Sequence, residues 1–244
     1  MLGSLRKAVE EDHQGITDFF KSQPEIYKLL DVMIISARRL IMSTLENLPK
    51  DECSNWRYML WRTLYDYIET SLLLLLKTRL DEGYALLRMA AELARDIDRI
   101  SESEGNFEMW KNRKDLHKTD QYKRTFSFNK NDGIEKLIFN LYNLASIYGV
   151  HSHQTRDMHL SHIGEVVEGK YIRVKVPERS MLEALNIWLF SFFPIHILVA
   201  KTFSDVHSRK HPNPLQQFFE VEEQIRPVLK EFKKNMKKNY PKTT

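Results

Sequence analysis

The chain has 244 residues, enough for one large domain or two small ones. Its 42% hydrophobic and 29% charged residues can form a buried core, which excludes a chain that is disordered throughout. Glycine and proline number only eight each, so the composition disfavours turn-rich β structure and favours long helices. Cys53 is the single cysteine, which excludes an internal disulfide and fits a reducing compartment. We therefore expect an all-α, cytoplasmic protein.

The first half of the chain predicts a lead segment followed by three long helices. Residues 1–22 are poor in apolar side chains, and their charged start does not look like a secretion signal. Beyond Pro24, apolar side chains recur at spacings of three and four, which is typical of helices that face a core. Asp81 is a candidate cap for the third helix. The three predicted helices cover about residues 25–45, 54–80 and 81–101.

The second half predicts further helices and one small hairpin. Residues 106–131 are polar and rich in lysine, and they predict a short helix near 108–117, anchored by Trp110, followed by a loop. Alternating residues around Gly169 predict a hairpin near 163–177. Longer helices are predicted at about 132–149, 178–207 with a kink at Pro194, and 215–239. The sequence therefore predicts one domain, 1–244, a bundle of about six helices with one hairpin and a basic tail at 228–244.

The most apolar run in the chain is Ala184–Ala200. Asn186, Ser191, Pro194 and His196 interrupt it, and it has fewer than 18 residues. A membrane-spanning helix needs about 20 apolar residues. We therefore expect a buried core helix and no membrane partner.

Four of the nine histidines fall within residues 151–162, at His151, His153, His159 and His162. Three interpretations of this cluster stay open. In one, three of these residues hold a zinc-like ion with Asp157, although the spacing matches no established metal signature, and we assign no metal ligand or cofactor. In another, a histidine is a general acid or base beside an arginine that stabilises a phosphate. In the third, the segment is a polar connection whose histidines bond the backbone.

Arg88 and Glu92 form a second candidate site. Their i,i+4 spacing places them on one helix face, where they can pair, and their neighbours are apolar. They would then bind a ligand or a partner. The alternative is that they belong to an exposed polar stripe, which would contain Asp81, Glu82, Arg88, Glu92, Arg95, Asp96 and Arg99.

These two segments resemble a bacterial helical family of unknown function. The likeness rests on Asp81–Glu92, on Trp110, and on Tyr142–Ser146 leading to His151. That family shows an Arg-x-x-x-Glu helix, a downstream tryptophan and a Ser-x-x-x-x-His segment. The resemblance covers about residues 30–200, and it implies a helical fold but little about function.

A more distant resemblance is to the HEPN superfamily of small helical bundles, many of which are metal-independent ribonucleases of defence systems. Their hallmark is an arginine followed, after four to six residues, by a histidine, and Arg156 and His162 have this spacing. The resemblance implies that Arg156 stabilises the scissile phosphate, that His162 handles the 2′-hydroxyl or leaving-group proton, and that two copies build the site. The acidic Asp157 directly after the arginine departs from the pattern.

Three functions follow from these observations. The first is a HEPN-like ribonuclease of a defence or stress system, with Arg156, His162 and His151 catalytic, with Arg88, Glu92 and His153 binding the ligand, and with RNA and a second copy as partners. The second is a non-catalytic module that binds a partner protein or an anionic ligand. The third is a metal-dependent hydrolase that uses the histidine cluster. The sequence contains no glycine-rich phosphate loop, serine-hydrolase elbow or kinase signature.

Overall fold

A computed structural model describes residues 14, 16–77, 79–131, 133–149, 165–167, 170–172, 178–209 and 211–239. In this part the chain is a helical bundle, which confirms the predicted all-α class. Residues 16–22 are also helical. The helices with both ends described are α1 (Pro24–Leu45), α2 (Glu52–Leu76), α3 (Leu80–Glu102), α4 (Glu104–Lys111), α5 (Arg113–Leu116), α6 (Asp120–Thr125), α7 (Gly133–Gly149), α8 (Glu178–Lys201), α9 (Ser204–Ser208) and α10 (Pro214–Asn239).

Local capping explains where the helices differ from the predicted boundaries. Asp51 starts α2 by accepting a hydrogen bond from the Ser54 backbone at 2.7 Å. Asp81 was predicted as a cap, and this is wrong because α3 begins one residue earlier, after Arg79. The loop predicted after residue 117 is also wrong, because Thr119 accepts from the Tyr122 backbone and starts α6.

The predicted long helix at 178–207 is interrupted. The structure ends α8 at Lys201, and α9 follows after a two-residue turn. Pro194 lies inside α8, and the kink there stays a prediction.

Helix α3 lies at the centre of the bundle and packs against α2, α7, α8 and α4, while α10 packs on α1 and α8. Gly83 permits a close approach of α3 to α2, because a Cβ at that position would lie 2.7 Å from the Leu75 side chain of α2. Trp188 joins α8 to α2, because its indole nitrogen donates a hydrogen bond to the Ile68 carbonyl at 3.0 Å. The main core draws on residues from Phe19 to Leu229, and the extension of one domain over 1–244 stays a prediction.

Helix α8 supplies much of the core. Within the described residues, its segment Leu182–Lys201 is long and apolar enough to cross a membrane by length and composition, with a mean hydropathy of 1.6. However, 67% of that segment is buried inside the bundle. The interpretation of Ala184–Ala200 as a core helix is therefore confirmed, and it is compatible with a soluble protein.

Two three-residue strands, β1 (Glu165–Val167) and β2 (Lys170–Ile172), pair antiparallel, with Val166 opposite Tyr171. The residues between them, and residues 173–177 after them, lie outside the described part. The full hairpin near 163–177 and the total of about six helices therefore stay predictions.

A buried ion pair fixes α3 against α7. The Arg99 Nη2 atom lies 2.8 and 2.7 Å from the two carboxylate oxygens of Glu135, and these side chains are only 11% and 5% exposed. Glu135 also accepts a hydrogen bond from the Asn129 backbone at 2.6 Å. Burial opposes the charge of Arg99, but the bonds to Glu135 outweigh it and raise the pKa of Arg99.

Replacing Glu135 with alanine should lower the free energy of unfolding by about 3–5 kcal/mol, because Arg99 would remain buried without its main partner. Urea denaturation measures this change. Glu222→Ala is the control, because Arg226, the partner of Glu222 on α10, is exposed, and it should have a much smaller effect. Equal losses in the two variants would contradict the structural role of the buried pair.

The His196 imidazole lies in the core among aromatic rings and is fully buried. Its Nδ1 atom accepts a hydrogen bond from Trp61 Nε1 at 3.2 Å, so the proton of the neutral ring lies on Nε2, which has no hydrogen-bond partner. Burial lowers the pKa of His196 to about 3, because the charged ring would lose its hydration.

The free energy of unfolding should therefore fall as the pH falls. Below about pH 6.5, His196 is protonated in the unfolded chain but stays neutral in the folded core. The free energy of unfolding therefore falls by about 1.4 kcal/mol per pH unit. Between pH 6.5 and 5 the wild type should lose about 2 kcal/mol more than His196→Leu in urea denaturation. His117→Gln removes an exposed histidine and should keep the wild-type slope. An unchanged slope in His196→Leu would show that this ring does not titrate in this way.

Candidate functional site

The face of α3 that meets α7 carries one of the two candidate sites. The helices run antiparallel, because Arg99 meets Glu135 at the start of α7 and Arg88 meets Tyr142 further along it. Arg88 Nε donates to Glu92 Oε1 at 3.2 Å, so the pairing expected from the sequence is present. The two side chains are 28% and 36% exposed.

Three half-buried aromatic rings pack together beside this pair. The ring of Phe128 lies 5.3 Å from that of Tyr142 and 5.7 Å from that of Phe139, measured between centroids. Phe128 lies in the segment before α7, and the other two lie on α7. These rings therefore form a short aromatic row along the surface.

Each ring of the row is covered by a cation. The guanidinium carbons of Arg88 and Arg95 lie 5.2 Å from the Tyr142 centroid and 5.1 Å from the Phe128 centroid, and Lys130 Nζ lies 4.7 Å from the Phe139 centroid. A cation over a ring face is attracted by the negative π surface. We call these three rings and three cations the cation–aromatic row.

The polar stripe on α3, considered as the alternative, is only partly exposed. None of its seven members is fully exposed, and Arg99 is buried. The reason is that α7, α4 and the segment before α7 cover this face of the helix. Sequence periodicity identified the polar face correctly but could not show what covers it.

Asp96 connects the row to the tryptophan that the sequence marked as an anchor. Its Oδ1 accepts from Arg95 at 2.6 Å, and its Oδ2 accepts from Trp110 Nε1 at 3.3 Å. Burial raises the pKa of Asp96, although the neighbouring Arg95 opposes that rise. Trp110 is only 3% exposed, so its anchoring role is confirmed.

Arg88 differs from the other two arginines of this face in what its terminal nitrogens do. In Arg95 and Arg99 these nitrogens bind carboxylates. Within the described residues, Arg88 makes its hydrogen bond through Nε alone. Glu92 and Tyr142 thus hold the guanidinium in place, and no described residue accepts a hydrogen bond from its Nη atoms, an arrangement suited to a phosphate or carboxylate.

The other predicted site residues, His151, His153, Arg156 and His162, lie within 150–164, outside the described residues. Helix α7 ends at Gly149, seven residues past Tyr142, or about 10 Å along the axis. That these side chains meet Arg88 and Glu92 in one pocket stays a prediction.

Across the residues that the structure describes, no group of three or more histidine, cysteine, aspartate or glutamate side chains could hold a metal ion. Because the histidine cluster falls outside this part, the metal-dependent interpretation is not tested. The chain shows no significant match to any protein-family model, curated protein or solved structure. Function therefore rests on the site itself.

Replacing Arg88 should barely change stability if its role is to bind a ligand. Arg88→Met removes a half-exposed ion pair and one cation–π contact, and should lower the free energy of unfolding by about 1 kcal/mol or less. Arg99→Met leaves Glu135 buried without its arginine partner, and should cost about 3 kcal/mol or more. Urea denaturation compares the two variants. A loss in Arg88→Met as large as that in Arg99→Met would instead assign Arg88 to the structural network.

Proposed function

We propose that this protein binds RNA at the cation–aromatic row and cleaves it without a metal, as a HEPN-like ribonuclease in which Arg156 and His162 are catalytic. The observation that carries the proposal is the Arg88 guanidinium, which Glu92 and Tyr142 hold while no other described residue binds its Nη atoms. A phosphate fits these donors, and the exposed parts of the neighbouring half-buried rings offer apolar contact to the bases.

The proposed reaction needs only proton transfer and charge stabilisation. The 2′-oxygen attacks the adjacent phosphorus, the bond from phosphorus to the 5′-oxygen breaks, and a 2′,3′-cyclic phosphate and a 5′-hydroxyl form. His162 takes the 2′-hydroxyl proton or supplies the leaving-group proton, and His151 is the candidate for the complementary transfer. Arg156 stabilises the charge on the phosphate, and His153 contributes to binding.

Assembly and biological context belong to the same proposal. Two copies would each contribute residues to the cleavage site, as in HEPN ribonucleases. A metal-free ribonuclease of this kind fits a defence or stress system in the cytoplasm. The bacterial family of unknown function, which the Arg88 and Glu92 helix resembles, would then share the binding site.

A second candidate is a non-catalytic module that binds an anionic ligand or a partner protein at the same row. It is favoured by the composition of the described site. Its charged groups are arginines, a lysine and Glu92, and that carboxylate is engaged with Arg88. These residues are suited to binding and do not by themselves supply a proton-transfer pair.

One assay separates the candidates. Purified wild type should cleave a single-stranded RNA in the presence of a chelator and leave 2′,3′-cyclic phosphate ends. Arg156→Ala and His162→Ala should each lower the rate by about 100-fold or more. Arg88→Met should weaken RNA binding by about tenfold, because one charge-assisted phosphate contact is lost. Arg226→Met removes an exposed arginine on α10 and serves as the control.

The remaining outcomes identify the alternatives. Unchanged cleavage in the Arg156 and His162 variants would end the ribonuclease proposal. Binding that depends on Arg88 without any cleavage would identify the non-catalytic module. Activity lost in the chelator, together with a stoichiometric bound ion in elemental analysis, would identify the metal-dependent hydrolase.

A further inference from the structure

Residues 113–130, which contain α5, α6 and the segment leading to α7, carry a concentrated positive charge. We call them the basic segment. They contain only two acidic residues, Asp115 and Asp120. Every basic side chain of the segment is exposed. These are Arg113, Lys114, Lys118, Lys123, Arg124 and Lys130.

Carboxylates of the described residues do not pair with the positive charges of the basic segment. None of its six basic residues forms an ion pair in the described structure, whereas other exposed cations do. Lys111, just before the segment, pairs with both Glu52 and Glu108. Helices α5 and α6 have four and six residues, which leaves little room for the i,i+4 pairs that neutralise charge on longer helices. The segment is therefore a surface on which positive charges outnumber negative ones, suited to a polyanion.

Aromatic rings lie at both ends of the basic segment. At its start, the Arg113 guanidinium carbon lies 3.9 Å from the Trp110 ring centroid, and Trp56 packs edge-on against Trp110 at 5.5 Å. The Trp56 side chain remains 42% exposed. At the end of the segment, Lys130 covers Phe139 and so reaches the cation–aromatic row. Cations interleaved with accessible rings are the features of surfaces that bind single strands.

We propose that the basic segment binds a single strand of RNA and leads it from Trp56 to the cation–aromatic row. The lysines and arginines contact phosphates, and Trp56 provides a stacking surface for a base. The inference rests on the proposed function for the choice of RNA, and it locates the strand outside the candidate cleavage site.

The composition of the segment favours a nucleic acid over a lipid surface. Its apolar side chains, Leu116, Tyr122, Phe126 and Phe128, are half-buried or buried. None of them is free to insert among acyl chains, which is how amphipathic helices hold a membrane. Phosphates of a flexible strand, by contrast, need only exposed cations.

The test compares two matched triple variants of the full chain, both in a His162→Ala background and in chelator so that the RNA stays intact. One variant removes three positive charges from the basic segment by replacing Lys114, Lys118 and Lys123 with glutamine. The other makes the same charge change on α10 by replacing Lys230, Lys234 and Lys238 with glutamine. All six lysines are exposed, so both variants should fold, which circular dichroism checks. Fluorescence anisotropy then measures binding of a 12-nucleotide oligouridine between 50 and 200 mM salt.

The basic-segment variant should bind about tenfold more weakly at intermediate salt. The slope of the logarithm of its binding constant against the logarithm of the salt concentration should be shallower by about two, because each lost phosphate contact contributes about 0.7 to that slope. The α10 variant should stay close to the parent. Trp56→Ala should weaken binding by about fivefold or more, because one stacked base is lost.

Three results would overturn the inference. The basic-segment variant could bind like the parent, the two triple variants could lose the same affinity, or the basic-segment variant could lose binding to phosphatidylserine vesicles while keeping RNA binding. The cleavage assay separates this failure from that of the proposed function. Loss of oligouridine binding in the basic-segment variant stands whether or not His162 proves catalytic.

Discussion

The structure depends on how the charged face of α3 is covered. An uncompensated charge in a protein interior costs several kcal/mol, so each charge on this face needs a partner as the covering elements close over it. Glu135 from α7 pairs with Arg99 of α3. Asp96 of α3 accepts hydrogen bonds from its neighbour Arg95 and from Trp110 of α4. These contacts fix the register of α3 against α7. They also hold the connection between these two helices, which begins with α4, against the bundle.

The same requirement accounts for the candidate site. Partners become fewer along α3 from Arg99 to Arg88. Arg99 binds three carboxylates and a backbone carbonyl, whereas Arg88 has one carboxylate and one ring. Helix α7 and the segment before it cover Arg99 almost completely, but they cover Arg88 only in part. Among the described residues, Arg88 is therefore held in place by fewer partners than Arg99, at the level of Tyr142 on α7.

Much of the fold could be predicted because apolar spacing reports burial directly. The residues that predicted the first long helix include Ile26, Met33 and Ile41, and all three are in the core. One short helix was predicted near 108–117, but the start of α4 after Ser103 and the whole of α6 after Thr119 were missed. Both caps carried a signal, but few apolar residues accompany them. The sequence identified Arg88 and Glu92 from their spacing and placed Tyr142 within a resemblance. Phe128, Phe139 and Lys130 gave no signal, because their contacts are made only when the segment before α7 folds back on that helix.

The proposed reaction assigns different tasks to separate parts of the chain. The cation–aromatic row holds cations and rings, which are suited to recognising a strand but do not by themselves supply a proton-transfer pair. Histidine is the side chain that titrates near neutral pH, and four histidines lie in the segment that follows α7. In the proposal, binding is therefore the task of the rigid bundle, and chemistry is the task of the connection that starts beside it. His196 shows why such chemistry needs a less enclosed position, because burial in the core lowers its pKa to about 3 and leaves the ring unable to exchange a proton at neutral pH.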